Sequence, residues 1–154
     1  MTHGKIVCLA AGAVLALAAG GCGGSKTLHL KETAADFQQQ VLKADKPVLV
    51  DFYKEGCAAC GALDPTMDQL ADEYRGRVTV AAFRIYTFFA EVTCPPIKEQ
   101  YDISFTPTVV LFVGGQERHR WIMDYNVDAY RKVLNEVVGP SAPPAEPAQP
   151  AAKP

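Results

Sequence analysis

The sequence predicts an α/β domain, a central mixed β-sheet with helices on both of its faces. Strand-like and helix-like patterns alternate along the chain in the order βαβαβαββα, and the run Val48-Leu49-Val50-Asp51-Phe52-Tyr53 is apolar enough for a strand covered on both sides. Two further strand-like segments flank the glycine pair Gly114-Gly115. Helical crossovers join parallel strands and tight glycine turns join antiparallel ones, so a sheet built from both is mixed.

Thr27 to Leu30 reads as a short first strand. Thr33, followed three residues later by Asp36, opens an amphipathic helix through Phe37, Val41 and Leu42, because a threonine hydroxyl at the cap accepts a free N–H of the first turn. Pro47 to Tyr53 is the central strand. From Cys57 a helix runs to about Tyr74 with Leu63, Met67 and Leu70 at core spacing, kinked at Pro65, which has no N–H to bond one turn back. Val78 to Ile85 is the next strand, and Pro95 to Tyr101 a short helix with proline in its first turn. Thr108 to Val113 and Arg118 to Met123 form the hairpin, and Asn126 caps a last helix that ends at Gly139.

The chemistry sits where the central strand gives way to a helix. Cys57-Ala58-Ala59-Cys60 sets two thiols one helical turn apart, within the short Cα separation that a disulfide demands. The first sulfur falls at the helix N-terminus, where unpaired N–H groups and the positive dipole end favour thiolate over thiol. Cys57 is therefore the expected nucleophile and Cys60 the resolving thiol. A zinc half-site is one alternative, but a closed site needs four ligands, and past the N-terminal segment only Cys94, His29 and His119 remain to supply them. A purely structural bridge is another, and so small a loop would remove little unfolded-state entropy.

The N-terminus bears on location. Lys5, the apolar stretch Ile6 to Ala19 and the small residues running into Cys22 read as a bacterial export signal over residues 1–21. The stretch is shorter than the roughly 20 residues a spanning helix needs. Small residues before a cysteine also resemble the lipobox of bacterial lipoproteins, which implies that Cys22 carries lipid and becomes the first mature residue. Ala19 departs from the leucine usual at that lipobox position, and ordinary cleavage after Ala16-Leu17-Ala18, leaving Cys22 a free thiol, is the alternative. Gly23 after the cysteine resembles lipoproteins sorted to the outer membrane. Cys8 would leave with the leader. The layout expected is a leader (1–21), a lipidated N-terminus and linker (22–26), one domain (27–139) and a disordered Pro/Ala-rich tail (140–154). Disulfides persist in the periplasm, so exported thiols need not be inert. With 15 Lys and Arg against 17 Asp and Glu, a formal net charge of −2 and no long basic run, nucleic acid and anionic membrane surfaces are poor candidates for the main partner.

Together, Val50-Asp51-Phe52 before the cysteine pair, Pro65 five residues after Cys60, Tyr101-Asp102-Ile103, Thr106-Pro107-Thr108 and the apolar strand ending at Gly114-Gly115 resemble the thioredoxin family, over about Leu28 to Val138. The resemblance implies the thioredoxin fold and a cis bond before Pro107, facing the cysteines, with the Thr106 backbone pairing to an extended substrate. It also implies a role for Asp51, a carboxylate in an apolar strand that should titrate above its free value and accept the proton of Cys60. Departures are as informative. Gly56 stands where the family has tryptophan beside the substrate, Ala58-Ala59 replace Gly-Pro, Ala82 takes the place of a buried lysine, and Met123 that of a glycine near the substrate groove. About six extra residues lie within Tyr86 to Pro96.

The function expected is a membrane-tethered, periplasmic thiol–disulfide oxidoreductase, anchored by lipid at the outer membrane. It would reduce disulfides of client proteins with electrons from a membrane thiol donor, needing no cofactor beyond the Cys57–Cys60 couple. Oxidase or isomerase is the alternative direction. A soft-metal module, for copper as an example, using Cys57, Cys60 and Cys94, and a non-catalytic binding domain are rivals from other classes. Cys94, just before Pro95-Pro96, is expected to face the active-site side, where two readings stand side by side: an accessory thiol that exchanges with the pair or joins it on a metal, and an isolated thiol. Phe88 and Phe89 in the same loop would offer clients an apolar surface, although packing into the core is the reading favoured.

Overall fold

The computed structural model describes residues 26–140. The leader, Cys22 with the start of the linker, and the tail from 141 onward therefore lie outside the described residues. Five strands, β1 (Leu28–His29), β2 (Val48–Lys54), β3 (Thr79–Tyr86), β4 (Thr108–Val113) and β5 (Gln116–Ile122), form one sheet in the order β1-β3-β2-β4-β5. β3 runs parallel to β1 and β2, while β4 runs antiparallel to β2 and β5. The sheet is mixed, as the alternation of patterns requires, and β2 lies at its centre.

Among the described residues five helices cover the sheet: α1 (Ala34–Phe37), α2 (Ala58–Gly61), α3 (Asp64–Glu73), α4 (Pro95–Gln100) and α5 (Val127–Val138). The side chains of β2 alternate between two cores. Val48, Val50 and Phe52 join Phe37, Phe83, Ile97 and Phe112 on the face of α1 and α4. Leu49 joins Leu63, Met67, Leu70, Tyr74 and Leu134 on the face of α3 and α5. Asp51 follows Leu49 by two residues and so points toward that second face, a carboxylate among apolar neighbours. No helix of the described residues is long and apolar enough to cross a membrane.

The ends of elements follow their local chemistry. Thr33 caps α1 by accepting the Asp36 N–H, while the Lys31 N–H donates to the Asp36 carboxylate. Beyond Phe37 the coil widens to a π-helical turn over Gln38–Leu42, which sequence spacing did not signal. The helix expected from Cys57 to Tyr74 is broken into α2 and α3 rather than kinked. Pro65 supplies no N–H to the Gly61 carbonyl, so the i to i−4 ladder stops there and restarts with proline in its first turn. β5 begins at Gln116, two residues earlier than expected, because Gly114 and Gly115 both take positive φ and close a two-residue hairpin that pairs Val113 with Gln116. A Cβ on Gly115 would stand 2.4 Å from the Leu42 carbonyl oxygen, so the turn needs glycine for space as well as for backbone angle.

Candidate active site

At the carboxyl end of β2, Gly56 (φ +69°) turns the chain and Cys57 becomes the N-cap of α2. The Cys57 Sγ accepts the backbone N–H of Cys60 at 3.3 Å, doing the work that a serine or threonine oxygen does at other caps. The Cys60 Sγ lies 2.6 Å from it and donates its S–H; both are free thiols. Cys57 is partly exposed and Cys60 only 3% exposed.

This arrangement splits the two acidities. At Cys57 partial burial resists ionisation, but hydrogen bonds from the Cys60 thiol and the N–H groups of Cys60 and Ala59, helped by the Thr106 side chain, outweigh it and lower the pKa. At Cys60 burial dominates, and the proton shared with Cys57 adds to it, so the thiol is pushed up to about 11. The helix α2 spans only four residues, so the acidity of Cys57 rests on these local donors. Thr106–Pro107 is a cis peptide, as the resemblance implied. Met123 takes φ +54° and donates its N–H to the Pro107 carbonyl at 3.1 Å; that left-handed backbone is one where glycine is usual.

Asp51, paired in register with Ala82 on β3 and Val109 on β4, is 2% exposed. Its Oδ1 has no hydrogen-bond partner among the described residues. Loss of hydration raises its pKa from 3.8 to about 7, and the nearby charge of Asp64 adds to the rise. The Asp51 carboxyl lines a cavity of about 250 Å³ together with His29, Asp64, Asp68 and Ala82. That cavity adjoins a groove of about 340 Å³ along Gly56, Cys57 and Cys60, and His29, Asp64 and Ala82 line both. His29, Asp64 and Ala82 thus lie between the Asp51 cavity and the thiol groove. Asp64 was missed from the sequence; it is the first residue of α3, just past the break after α2, and its place four residues after Cys60 was the only signal that could have pointed to it. His29, weighed only as a metal ligand, is likewise common to the two hollows, with Asp64 and Ala82.

Two expectations are corrected. Cys94 does precede the prolines of α4, but its thiol is 4% exposed and packs in the core on the α1 and α4 face with Phe52, Ile85 and Ile97. A small apolar thiol is readily accommodated there, and it is Cys60, equally buried but 2.6 Å from the Cys57 sulfur, that is placed for exchange with Cys57. Among the described residues no group of three or more His, Cys, Asp or Glu is placed to hold a metal, so the set Cys57, Cys60 and Cys94 is not assembled. Phe88 and Phe89, expected to pack inward, are instead 60% and 83% exposed.

A model of the thioredoxin family matches residues 28–136, which includes β2, both cysteines, the cis proline and most of α5. The chain belongs to the thioredoxin family. It is 31% identical to a thioredoxin of Chlorobaculum thiosulfatiphilum over 111 residues, 72% of this chain and 97% of that protein. It is 36% identical to a thioredoxin of Rickettsia felis over 86 residues, 56% of this chain and 76% of the relative. With a thioredoxin of Acidithiobacillus ferridurans it shares 42% identity over 80 residues, 52% of this chain and 68% of the relative. This member of the thioredoxin family is a thiol–disulfide oxidoreductase, and Cys57 and Cys60 are its adjacent thiols.

Proposed function

We propose that this thioredoxin-family protein works outside the cytoplasm, tethered by lipid on Cys22, and reduces disulfides in client proteins. The observation that carries the redox half of this reading is the asymmetry of the pair: an accessible, acidified Cys57 against a buried Cys60 whose thiol is held up at about 11. In the reductive direction the Cys57 thiolate attacks one sulfur of the client disulfide. An S–S bond forms between Cys57 and the client, and the other client sulfur leaves as a thiolate. Cys60 then gives its proton to Asp51 and attacks the Cys57 sulfur, releasing the second client thiolate and closing the Cys57–Cys60 disulfide. Two electrons have passed from protein to client. A membrane thiol donor returns them by the same exchange in reverse.

Asp51 fits the acceptor role because a carboxyl titrating near 7 is part ionised at neutral pH yet regains its neutral form easily. Pro107 and the backbone of Thr106 would hold the client strand against Cys57. The location rests on the sequence of the N-terminus alone, Lys5 through Cys22. Trapping tests the redox reading. Cys60→Ser should accumulate clients as mixed disulfides on Cys57, and Cys57→Ser should accumulate none. Equal trapping by both variants would overturn the division of labour, and failure of the wild type to reduce insulin would overturn the direction.

A further inference from the structure

Gly56 carries no side chain, yet the space above it is filled. A Cβ built on Gly56 would fall 2.5 Å from Cδ2 and 2.7 Å from Cε2 of Phe88, so the Phe88 ring lies directly on the residue that precedes Cys57. The ring comes from the segment between β3 and α4, and hydrogen bonds hold that segment in place. Glu55 donates its N–H to the Tyr86 carbonyl at 3.0 Å, tying the thiol-bearing turn to the start of the segment. Thr87 and Glu91 close a tight turn through Thr87 N–H to Glu91 O at 2.9 Å and Glu91 N–H to Thr87 Oγ1 at 3.1 Å. Thr93 donates its N–H to the Ile85 carbonyl at 3.0 Å and fastens the far end. Phe88 and Phe89 stand at the tip of this turn, edge to face with their ring centres 5.4 Å apart.

Rings of this size are seldom left in water without use, since burying a phenylalanine side chain is worth about 1.5–3 kcal/mol. We propose that Phe88, with Phe89 beside it, is the client-selecting contact of this oxidoreductase, an apolar platform that receives a large apolar side chain next to the client cysteine under attack. This deepens the proposed function and rests on it. The occupant follows from the site itself. A mixed disulfide pins the client cysteine to the Cys57 sulfur, and the neighbouring client residue lies only about 3.8 Å further along its chain. That residue reaches the ring packed on Gly56. Phe105 and Met123 are also exposed and adjoin Thr106–Pro107, so apolar surface meets the thiol from two elements. The charged neighbour Glu55 is paired with Arg84 at 2.7 Å.

The test uses full-length protein, oxidised glutathione and two disulfide-linked peptides that differ only in Leu or Ser beside the cysteine. Wild type should reduce the Leu peptide about tenfold faster than the Ser peptide, the factor expected when most of an apolar side chain is covered. Phe88→Ser should remove that preference while leaving the reduction potential unchanged, because the variant leaves both thiols and their hydrogen bonds in place. Phe88→Trp should retain the preference. Equal rates for the two peptides with wild type, or an equal slowing of all three substrates in Phe88→Ser, would overturn the proposal while the redox reading stands. If wild type reduces none of the three, both fall.

Discussion

Replacing Asp51 with asparagine should stabilise the reduced protein by an amount that grows with pH. The folded state holds the Asp51 proton up to about pH 7, whereas the unfolded chain releases it near 3.8. Between those values the native state binds more protons than the unfolded one, so Asp51 costs stability as pH rises through the window, and the cost is complete above about 7. The full difference is of order 4 kcal/mol, of which roughly 2–3 kcal/mol should develop between pH 5 and pH 8. The amide of the substituted side chain has its own cost, since it enters the same apolar surroundings. That cost does not depend on pH and cancels when the two pH values are compared. Urea unfolding is the assay, followed by the emission of Trp121, the single tryptophan, which is 5% exposed against Tyr130. The stability gap between Asp51→Asn and wild type should widen by about 2–3 kcal/mol from pH 5 to pH 8. A gap that stays constant across that range would refute the assignment of a raised pKa to Asp51, and with it the physical basis for a proton acceptor there.

Cys22→Ser should move the protein from the membrane fraction to the soluble periplasmic fraction with its redox activity kept, since several acyl chains anchor firmly where one does not; wild type found soluble with no lipid mass on its N-terminus would sink the tether. Cys94→Ala should leave the reduction potential and client rates unchanged and cost about 1–2 kcal/mol in urea unfolding, because it opens a small cavity beside Phe52 and Ile97. Glu73→Gln should cost about 2–3 kcal/mol at pH 7, because Arg131 hydrogen-bonds both oxygens of this buried carboxylate at 2.8 and 2.5 Å. Those bonds hold the Glu73 pKa below its ordinary value, so the stabilisation is present at neutral pH and lost as pH falls through the lowered pKa; unfolding curves at pH 7 and pH 3 should show the variant's deficit shrinking.

The sequence by itself determined the features set by local patterns. The apolar run of β2, the cap at Thr33, the glycine hairpin and the Cys57-x-x-Cys60 spacing each specify their conformation within a few residues, and their order specified the sheet. The division of roles between the two cysteines was legible for the same reason, because a helix start treats its first and fourth residues differently. Tertiary structure alone decided how residues distant in the chain share space. Asp51, His29 and Asp64 come together only because β1 and β3 pair and α3 packs across them, which no window of sequence contains. Cys94 went the other way: its prolines did open a helix, but the side to which its sulfur turned was set by packing against Phe52 and Ile97. Phe88 shows the reason most directly. Its segment has no periodicity to read, and only the absent side chain at Gly56, thirty-two residues earlier by the numbering, left the space beside Cys57 where its ring could lie.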